Sequence, residues 1–244
     1  MSEMPEVGRY YPVARGIGTP LIRFLWRVHT PGIENLPAAG PVILAANHIS
    51  FLDSAFLMFR LPRQITFVGK AEYLDSWKTK HLFPAIGMIP VDRSSGSSAQ
   101  AALNAAAEVL ERGGVFGIFP EGTRSRSGDL HKGHTGLARL ALRTGAPIVP
   151  VGIIGTDRVQ PPDVPLPRPF MPATLKFGRP VDVGRYADRA DDRLVLRQIT
   201  DEVMYEIREL TGQTYLHRYA TRRPRDLESK PAQVSGAGQL SAVS

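Results

Sequence analysis

The alternation of short apolar runs with helical patterns, from residue 41 onward, restricts the fold more than any other feature. Six runs are typical of buried strands: "PVILAAN" (41–47), "QITFVGK" (64–70), "MIPVDR" (88–93), "VFGIFP" (115–120), "PIVPVGIIG" (147–155) and "ATLKFGRPV" (173–181). Helical patterns cover residues 50–61, 98–114, 134–145 and 191–212. Strands alternating with helices predict an α/β fold with a mixed, largely parallel sheet and helices on both faces. Ligands in such folds lie at the carboxyl ends of the strands.

Composition narrows the class of function. The chain has 244 residues, which fits one α/β domain with a small accessory segment, and a hydrophobic content of 43% can supply its core. It contains no cysteine, which excludes disulfides, a cysteine nucleophile and thiolate metal sites. A net charge of +7 favours an anionic partner, namely a nucleic acid, an anionic membrane surface or a phosphorylated substrate.

The first 30 residues form a separate segment in this interpretation. Residues 10–29 place Arg15, Arg23 and Arg27 among aliphatic and aromatic residues that include Trp26. A basic amphipathic helix of this kind can lie in a membrane interface, although it can equally pack on the core of its own domain. We expect an α/β domain over 31–222 and a disordered C-terminal tail over 223–244, where the composition is biased to Ser, Gly, Ala and Gln.

The sequence predicts neither a spanning helix nor a signal peptide. The longest charge-free segment, 35–52, is interrupted by two prolines, a glycine, an asparagine and a histidine, which makes it a poor bilayer element. The N-terminal residues "MSEMPEVGRYYP" have an acidic start and no apolar stretch, unlike a secretory signal.

The block "NHISFLD" (47–53) offers a histidine and an aspartate, His48 and Asp53. A neutral histidine can remove a proton from a hydroxyl group when a carboxylate fixes its tautomer. On one continuous helix a spacing of five would keep the two side chains apart, so they meet only if His48 precedes the helix and Asp53 lies in its first turn. Ser50 is a suitable N-cap, and a capping box of Ser50 with Asp53 would explain the aspartate without any catalysis.

Three further polar clusters follow strand-like runs. "GMIPVDR" ends in Arg93, a forked donor suited to phosphate or simply a solvated arginine. "FPEGTRSRSG" (119–128) is either an ordinary polar turn or a phosphate cradle built from Gly122 and the arginines that follow. "VPVGI" contains Pro150, which favours an edge strand or a bulge.

We predict no metal site in this chain. His131 and His134 stand close together in the sequence, but no carboxylate is placed like a third ligand.

The four blocks "NHISFLD", "GMIPVDR", "FPEGTRS" and "VPVGI", taken in this order, resemble the glycerophospholipid acyltransferase family, especially the 1-acyl-glycerol-3-phosphate (lysophosphatidate) acyltransferases. The resemblance runs from about residue 31 to residue 181. It implies that His48 is the general base and that Asp53 orients it. It also implies that Arg93 holds the glycerol phosphate, and that Lys132 matches a lysine that often follows the third block. The remaining implied residues are Glu121, Gly122, Thr123 and Arg124 around the acceptor pocket, and Pro150 on the acyl-donor side.

The resemblance implies direct transfer of a fatty acyl group to the free hydroxyl of a lysophospholipid acceptor. The donor would be acyl-CoA or acyl carrier protein, with no cofactor, and the enzyme would be peripheral or monotopic on the cytoplasmic face of an anionic membrane. The missing cysteine and the missing G-x-S-x-G elbow agree with transfer without a covalent intermediate.

Two alternatives remain open at the level of the sequence. One is a different acceptor: another lysophospholipid, glycerol-3-phosphate or an aminolipid. The other is a non-enzymatic, basic protein that binds phosphate or nucleic acid. We do not expect a nucleic-acid partner, because the basic C-terminal segment offers few aromatic residues for base stacking.

Overall fold

The computed structural model describes residues 10–70, 87–91, 98–162 and 164–221. Its α-helices are α1 (Tyr11–Leu25), α2 (Leu52–Arg60), α3 (Ser98–Glu111), α4 (Gly136–Thr144), α5 (Thr156–Val159) and α6 (Arg193–Thr211). Its strands are β1 (Arg27–His29), β2 (Val42–Ala46), β3 (Ile65–Lys70), β4 (Met88–Val91), β5 (Val115–Ile118), β6 (Leu130–His131), β7 (Ile148–Ile154), β8 (Pro172–Phe177) and β9 (Tyr215–Leu216). Short 3₁₀ helices cover Ile33–Asn35 and Gly184–Arg189.

Within these residues, seven strands form one sheet in the order β1-β8-β7-β2-β5-β3-β4. All neighbouring pairs are parallel except β7 and β8, which run antiparallel. A mixed, largely parallel sheet was the expectation from the sequence, and the structure confirms it. The strands β6 and β9 form a separate parallel pair.

Each face of the sheet carries its own hydrophobic cluster, because successive strand residues point to opposite sides. In β2, Leu44 contributes to the face covered by α1 and α2, whereas Ile43 contributes to the face covered by α3, α4 and α6. All five residues of β2 are buried, as expected for a central strand of a parallel sheet. The predicted arrangement of helices on both faces is therefore confirmed.

The helix ends follow from local chemistry. The carboxylate of Asp192 precedes α6 and accepts hydrogen bonds from the N–H groups of Leu194 (2.8 Å) and Val195 (3.5 Å). Gly212 ends the same helix with a φ of 73°, a left-handed conformation that glycine adopts without a steric penalty. The predicted range of 191–212 thus contains both the cap and the stop of this helix.

The six predicted strands are all present and begin within one residue of their predicted starts. The prediction for the proline in "VPVGI" is wrong in one respect, because β7 is an interior strand between β2 and β8. Pro150 is tolerated because it lies where β8 has already ended. Its carbonyl accepts from the N–H of Gly178 (2.8 Å). The proline therefore costs one hydrogen bond, which an N–H at position 150 would have donated back to Gly178.

The N-terminal helix α1 packs against α2, so the core-packing interpretation holds for one of its faces. Tyr11 is buried, and its hydroxyl donates to the carbonyl of Met58 (3.1 Å). Trp26 is also buried, with its ring 5.6 Å from that of Phe56. No helix in the described parts of the chain is long and apolar enough to cross a membrane.

Two leucines of contrasting burial test this assignment of the core. Leu140 in α4 is fully buried, whereas Leu194 at the start of α6 is 78% exposed. We expect Leu140→Ala to lower the free energy of unfolding by about 2–5 kcal/mol, through lost apolar burial and a residual cavity. The same substitution at Leu194 is the control and should change it by less than about 0.5 kcal/mol. Equal losses in urea denaturation would contradict the described packing.

Candidate active site

The carboxyl ends of three neighbouring strands create the candidate site. In the sheet, β2 lies between β7 and β5, and all three point in the same direction. The segments that follow them therefore meet at one edge, as expected for an α/β fold. They are residues 47–50 after β2, 119–126 after β5 and 155–160 after β7.

Asn47 fixes the position at which the chain leaves β2. Its fully buried amide donates to the carbonyl of Ile153 (2.9 Å) and accepts from the N–H of the same residue (2.7 Å). This side chain continues the ladder between β2 and β7 by one step after the backbone pairing has ended. The following residue, His48, is thereby held at the edge of the sheet.

His48 and Asp53 are in direct contact. The Nδ1 atom of His48 lies 2.8 Å from Oδ2 of Asp53, and the aspartate is fully buried. The imidazole stacks on the ring of Phe119, with centroids 4.0 Å apart and planes 13° apart. His48 thus lies before the helix and Asp53 in its first turn, which is the arrangement that the spacing of five requires.

The carboxylate of Asp53 also stabilises the turn between β2 and α2 through hydrogen bonds. Its Oδ2 atom accepts from the N–H groups of Ile49 (2.8 Å) and Ser50 (2.9 Å), and its Oδ1 atom accepts from the hydroxyl of Thr156 (2.6 Å). The Ser50 bond is one half of the predicted capping box. The other half is absent: the Ser50 hydroxyl accepts from the N–H of Leu52 (3.3 Å), and the N-cap of α2 is Phe51, one residue later than predicted. Asp53 therefore faces the imidazole and the cap together.

The side chain of Glu121 holds the loop after β2 by binding the main chain of that loop. It is buried, with Oε1 accepting from the N–H of His48 (3.0 Å) and Oε2 accepting from the N–H of His131 (2.9 Å). Burial raises the pKa of the Glu121 carboxyl, and these two backbone N–H groups oppose that rise. Glu121 therefore ties together the loops after β2 and β5 and the strand β6, and it does not present a free carboxylate.

The turn after β5 supplies the cationic groups. Gly122 has a φ of 72°, and an added Cβ there would lie 3.1 Å from the ring of His134, so glycine suits this position. The N–H of Ser125 donates to the carbonyl of His48 (2.7 Å). Thr123 is half-buried and Arg124 is exposed. The sequence blocks that contain His48 and Glu121 are thus joined at both the N–H and the carbonyl of His48.

A cavity lies beside this junction. Its lining includes Ser50 and Phe51 from the turn before α2, Arg124 and Ser125 from the turn after β5, and Gln160. The hydroxyl of Ser125 is buried and has no hydrogen-bond partner among the described residues. A small anionic or polar group is the chemistry that an arginine and an unpaired hydroxyl would bind.

The other predicted site residues lie in different surroundings. Lys132 lies 5.5 Å above the ring of Tyr219, in the segment that follows β9. Pro150 is buried within β7, with its ring beside Gly178. Arg93 lies outside the described residues, as does the predicted tail. The roles expected for these three residues stay predictions.

The two histidines of "HKGH" have separate partners. His131 lies with Nδ1 3.2 Å from Glu121, and His134 stacks on Tyr219 with centroids 4.7 Å apart. Where the chain is described, no three ligating side chains converge as a metal site would require.

The sequence gives little signal for two residues of this site. Thr156 comes 103 residues after Asp53, and a single threonine after an apolar run has no distinctive pattern. The sequence pattern places Phe119 at the end of a buried strand, and it gives no sign that the ring stacks against His48. Both residues reach the site because β5 and β7 pair with β2. They could be predicted only if this strand order were already known.

The comparisons with known proteins agree on one family. A family model described as "Acyltransferase" matches residues 27–154. A 1-acyl-sn-glycerol-3-phosphate acyltransferase of Borreliella burgdorferi is 34% identical over 131 residues, which cover 54% of this chain and 52% of that protein. A chloroplastic 1-acyl-sn-glycerol-3-phosphate acyltransferase of Arabidopsis thaliana is 30% identical over 137 residues, which cover 56% of this chain and 38% of that protein. The chain thus spans about half or less of these two relatives.

A solved structure shares the fold. The 1-acyl-sn-glycerophosphate acyltransferase PlsC of Thermotoga maritima aligns with a TM-score of 0.66 and 24% identity, over 91% of this chain and 81% of that one. At this level of identity the likeness concerns the fold alone.

An uncharacterized protein of Mycobacterium tuberculosis is 30% identical across 84% of this chain and 66% of its own length.

Replacement of Thr156 by valine tests the hydrogen bond to Asp53. Valine keeps the volume but leaves Oδ1 of a fully buried carboxylate without its donor, so we expect a loss of about 1–3 kcal/mol in the free energy of unfolding. Thr200→Val in α6 is the control. Thr200 is equally buried, but its hydroxyl donates to the carbonyl of Leu196 within the same helix, where no charged group is orphaned. Equal losses for the two variants in urea denaturation would contradict the role given to Thr156.

Proposed function

The chain belongs to the acyltransferase family, and from that premise we propose that it transfers a fatty acyl group to the free hydroxyl of 1-acyl-glycerol-3-phosphate. The product would be phosphatidic acid, a precursor of phospholipids. The observation that carries the proposal is the contact of 2.8 Å between His48 and Asp53 at the edge of the sheet. A histidine oriented by a buried carboxylate is suited to activating a hydroxyl group.

The proposed chemistry needs one base and no covalent enzyme intermediate. Because an ionised carboxylate only accepts hydrogen bonds, Nδ1 of His48 carries the proton toward Asp53 and Nε2 is left as the basic atom. Nε2 removes the proton from the acceptor hydroxyl as its oxygen attacks the thioester carbonyl of the donor. The C–S bond then breaks, and the imidazolium returns the proton to the departing thiolate. Base catalysis of this kind typically contributes about 10²–10⁴-fold.

The acceptor's phosphate would bind in the cavity beside His48. Arg124 and the buried hydroxyl of Ser125 both line it and can donate to phosphate oxygens. The main-chain bond from Ser125 to His48 fixes the distance between this cavity and the base. Arg93, as the resemblance implies, would contribute a second guanidinium. Binding the phosphate in this way would position the hydroxyl for attack.

The choice of acceptor and donor rests on the relatives. Both curated relatives described above are 1-acyl-sn-glycerol-3-phosphate acyltransferases by name. The donor would be acyl-CoA or acyl carrier protein, and we propose no cofactor. Another lysophospholipid, glycerol-3-phosphate or an aminolipid is the alternative acceptor class. A panel of acceptors and acyl-CoA chain lengths with product analysis distinguishes among them.

The lipid acceptor suggests where the protein works. We propose that it is peripheral or monotopic on the cytoplasmic face of an anionic membrane. The support is the outer face of α1, where Val13, Ile17, Leu21 and Phe24 are each more than half exposed. An exposed apolar helix face of this kind is typical of proteins that lie in a membrane interface.

Loss of the base should greatly reduce turnover. We expect His48→Ala to lower kcat by about 10²–10⁴-fold in a folded variant whose free energy of unfolding is lower, because the buried carboxylate of Asp53 also loses one of its four donors. Thiol release from acyl-CoA in the presence of lysophosphatidate measures this rate. His29→Ala, at an exposed position that ends β1, is the matched control and should keep full activity. Wild-type turnover in His48→Ala would exclude His48 as the base.

Loss of Arg124 should affect the acceptor selectively. We expect Arg124→Ala to raise the KM for lysophosphatidate about tenfold or more, since a hydrogen bond to a charged group is worth about 1.5–3 kcal/mol, and to leave the KM for acyl-CoA nearly unchanged. Arg93→Ala should act in the same direction. Arg112→Ala, at an exposed position just after α3, is the control. Equal changes in the two KM values would contradict a phosphate-binding role.

A further inference from the structure

The N-terminal helix α1 contacts the protein through polar as well as apolar side chains. Beside the buried Tyr11 and Ile22, Arg15 donates to the carbonyls of Leu61 and Pro62, and Thr19 donates to the carbonyl of Phe59 (3.2 Å). These acceptors belong to the end of α2 and the two residues after it, where carbonyl groups lack partners within the helix. The outer face of α1, formed by Val13, Ile17, Leu21 and Phe24, is directed away from the protein.

A second exposed apolar group lies next to this outer face. Phe170, in the proline-rich loop 160–171, is 66% exposed, and its ring packs edge-on against Phe24, which is 74% exposed, with centroids 6.2 Å apart. Leu166, in the same loop, is 77% exposed. The exposed apolar surface therefore includes residues from both α1 and this loop.

Phe170 has an unfavourable backbone conformation, and its ring is exposed. Among the described non-glycine residues it alone has a positive φ, of 63°. A bulky residue is unfavourable in this conformation and persists only where its surroundings hold it. Three hydrogen bonds hold the loop here: Phe170 N–H to the carbonyl of Leu25 (2.6 Å), Trp26 Nε1–H to the carbonyl of Arg168 (2.7 Å), and Arg168 N–H to the carbonyl of Val159 (2.7 Å). The outward ring is therefore a fixed feature of the loop.

Cations predominate around this apolar surface. Arg23, Arg27 and Arg168 are exposed, residues 10–29 contain neither aspartate nor glutamate, and loop 160–171 contains one acidic residue, Asp163. Arg60, close to Arg23, has a buried Nε atom without a hydrogen-bond partner among the described residues, and burial together with the Arg23 charge lowers the pKa of its guanidinium. Apolar groups beside arginines match an anionic lipid surface, in which acyl chains lie beneath phosphates.

We propose that the outer face of α1 and the tip of loop 160–171 form one membrane-inserting platform, in which Leu166 and Phe170 enter the bilayer interface beside Phe24. A second copy of the chain fits this surface less well. In a two-fold contact the same patch would meet itself, which would bring the exposed arginines of one copy, Arg23, Arg27 and Arg168, close to those of the other. A bilayer has apolar and anionic groups at the matching depths and avoids that repulsion.

The platform connects to the proposed site through the base of the same loop. Gln160, Pro161, Pro162 and Val164 line the cavity that also includes Arg124. Insertion of the loop tip would therefore place the mouth of this cavity at the lipid surface, where a lysophospholipid headgroup lies. This consequence rests on the proposed acyl transfer, whereas membrane binding by the platform does not.

Vesicle binding by the full chain tests the platform. The double variant Leu166→Ser/Phe170→Asn removes the two loop side chains, and asparagine tolerates the positive φ, so the fold should be retained. With vesicles of equal parts phosphatidylglycerol and phosphatidylcholine, we expect its binding to be weaker by about tenfold or more, because two apolar side chains no longer insert. Leu194→Ser is the matched control, since Leu194 is as exposed as Leu166 but lies on α6 beyond the other face of the sheet.

Two results would overturn the proposal. One is wild-type vesicle binding by the loop double variant under conditions in which Ile17→Ser/Phe24→Ser has lost it, because α1 would then bind alone. The other is a wild-type dimer in sedimentation without vesicles that the loop double variant converts to monomer, because the patch would then be a self-interface.

The acyl-transfer reaction is measured separately, with lysophosphatidate dispersed below its micellar concentration. There the loop variant should keep wild-type turnover. Absence of turnover in the wild type, with vesicle binding intact, would contradict the proposed function and leave the platform standing.

Discussion

The buried carboxylate of Asp53 is the group on which the arrangement of this site depends. It is fully inaccessible to solvent and accepts four hydrogen bonds, from His48, Ile49, Ser50 and Thr156. A carboxylate buried without such partners would be strongly destabilising, so the fold must hold all four donors in place. The start of α2, the loop after β2 and the start of α5 are thereby fixed relative to one another. The orientation of the imidazole is a consequence of this network.

Glu121 complements Asp53 from the other side of the same loop. Asp53 fixes the side chain of His48, whereas Glu121 accepts from its main-chain N–H and Ser125 donates to its carbonyl. The two carboxylates are fully committed to hydrogen bonds within the protein, which leaves Arg124 and the hydroxyl of Ser125 to face the cavity. The groups that hold His48 are thus distinct from those that would hold the substrate. Glu121 contacts main-chain N–H groups, and its expected role at the pocket wall stays a prediction.

Most of the sheet could be predicted from the sequence, because buried parallel strands are continuous apolar runs and the helices between them carry clear start and stop signals. The contact between His48 and Asp53 was also within reach, since its geometry is local. Three features were not. The strand β1 has three residues and no periodic pattern, Pro150 lies in an interior strand against its usual preference, and Thr156 reaches Asp53 only through the alignment of β7 with β2. Each depends on long-range pairing that no local pattern encodes.

We propose that Asp53 fixes the tautomer of His48 so that Nε2 is the basic atom. Two-dimensional ¹H–¹⁵N correlation of the imidazole groups, recorded above the pH at which histidine is protonated and assigned by comparison with His48→Gln, measures this tautomer directly. We expect Nδ1 of His48 to carry the proton and Nε2 to have the chemical shift of an unprotonated nitrogen. A proton on Nε2, with Nδ1 unprotonated, would contradict it.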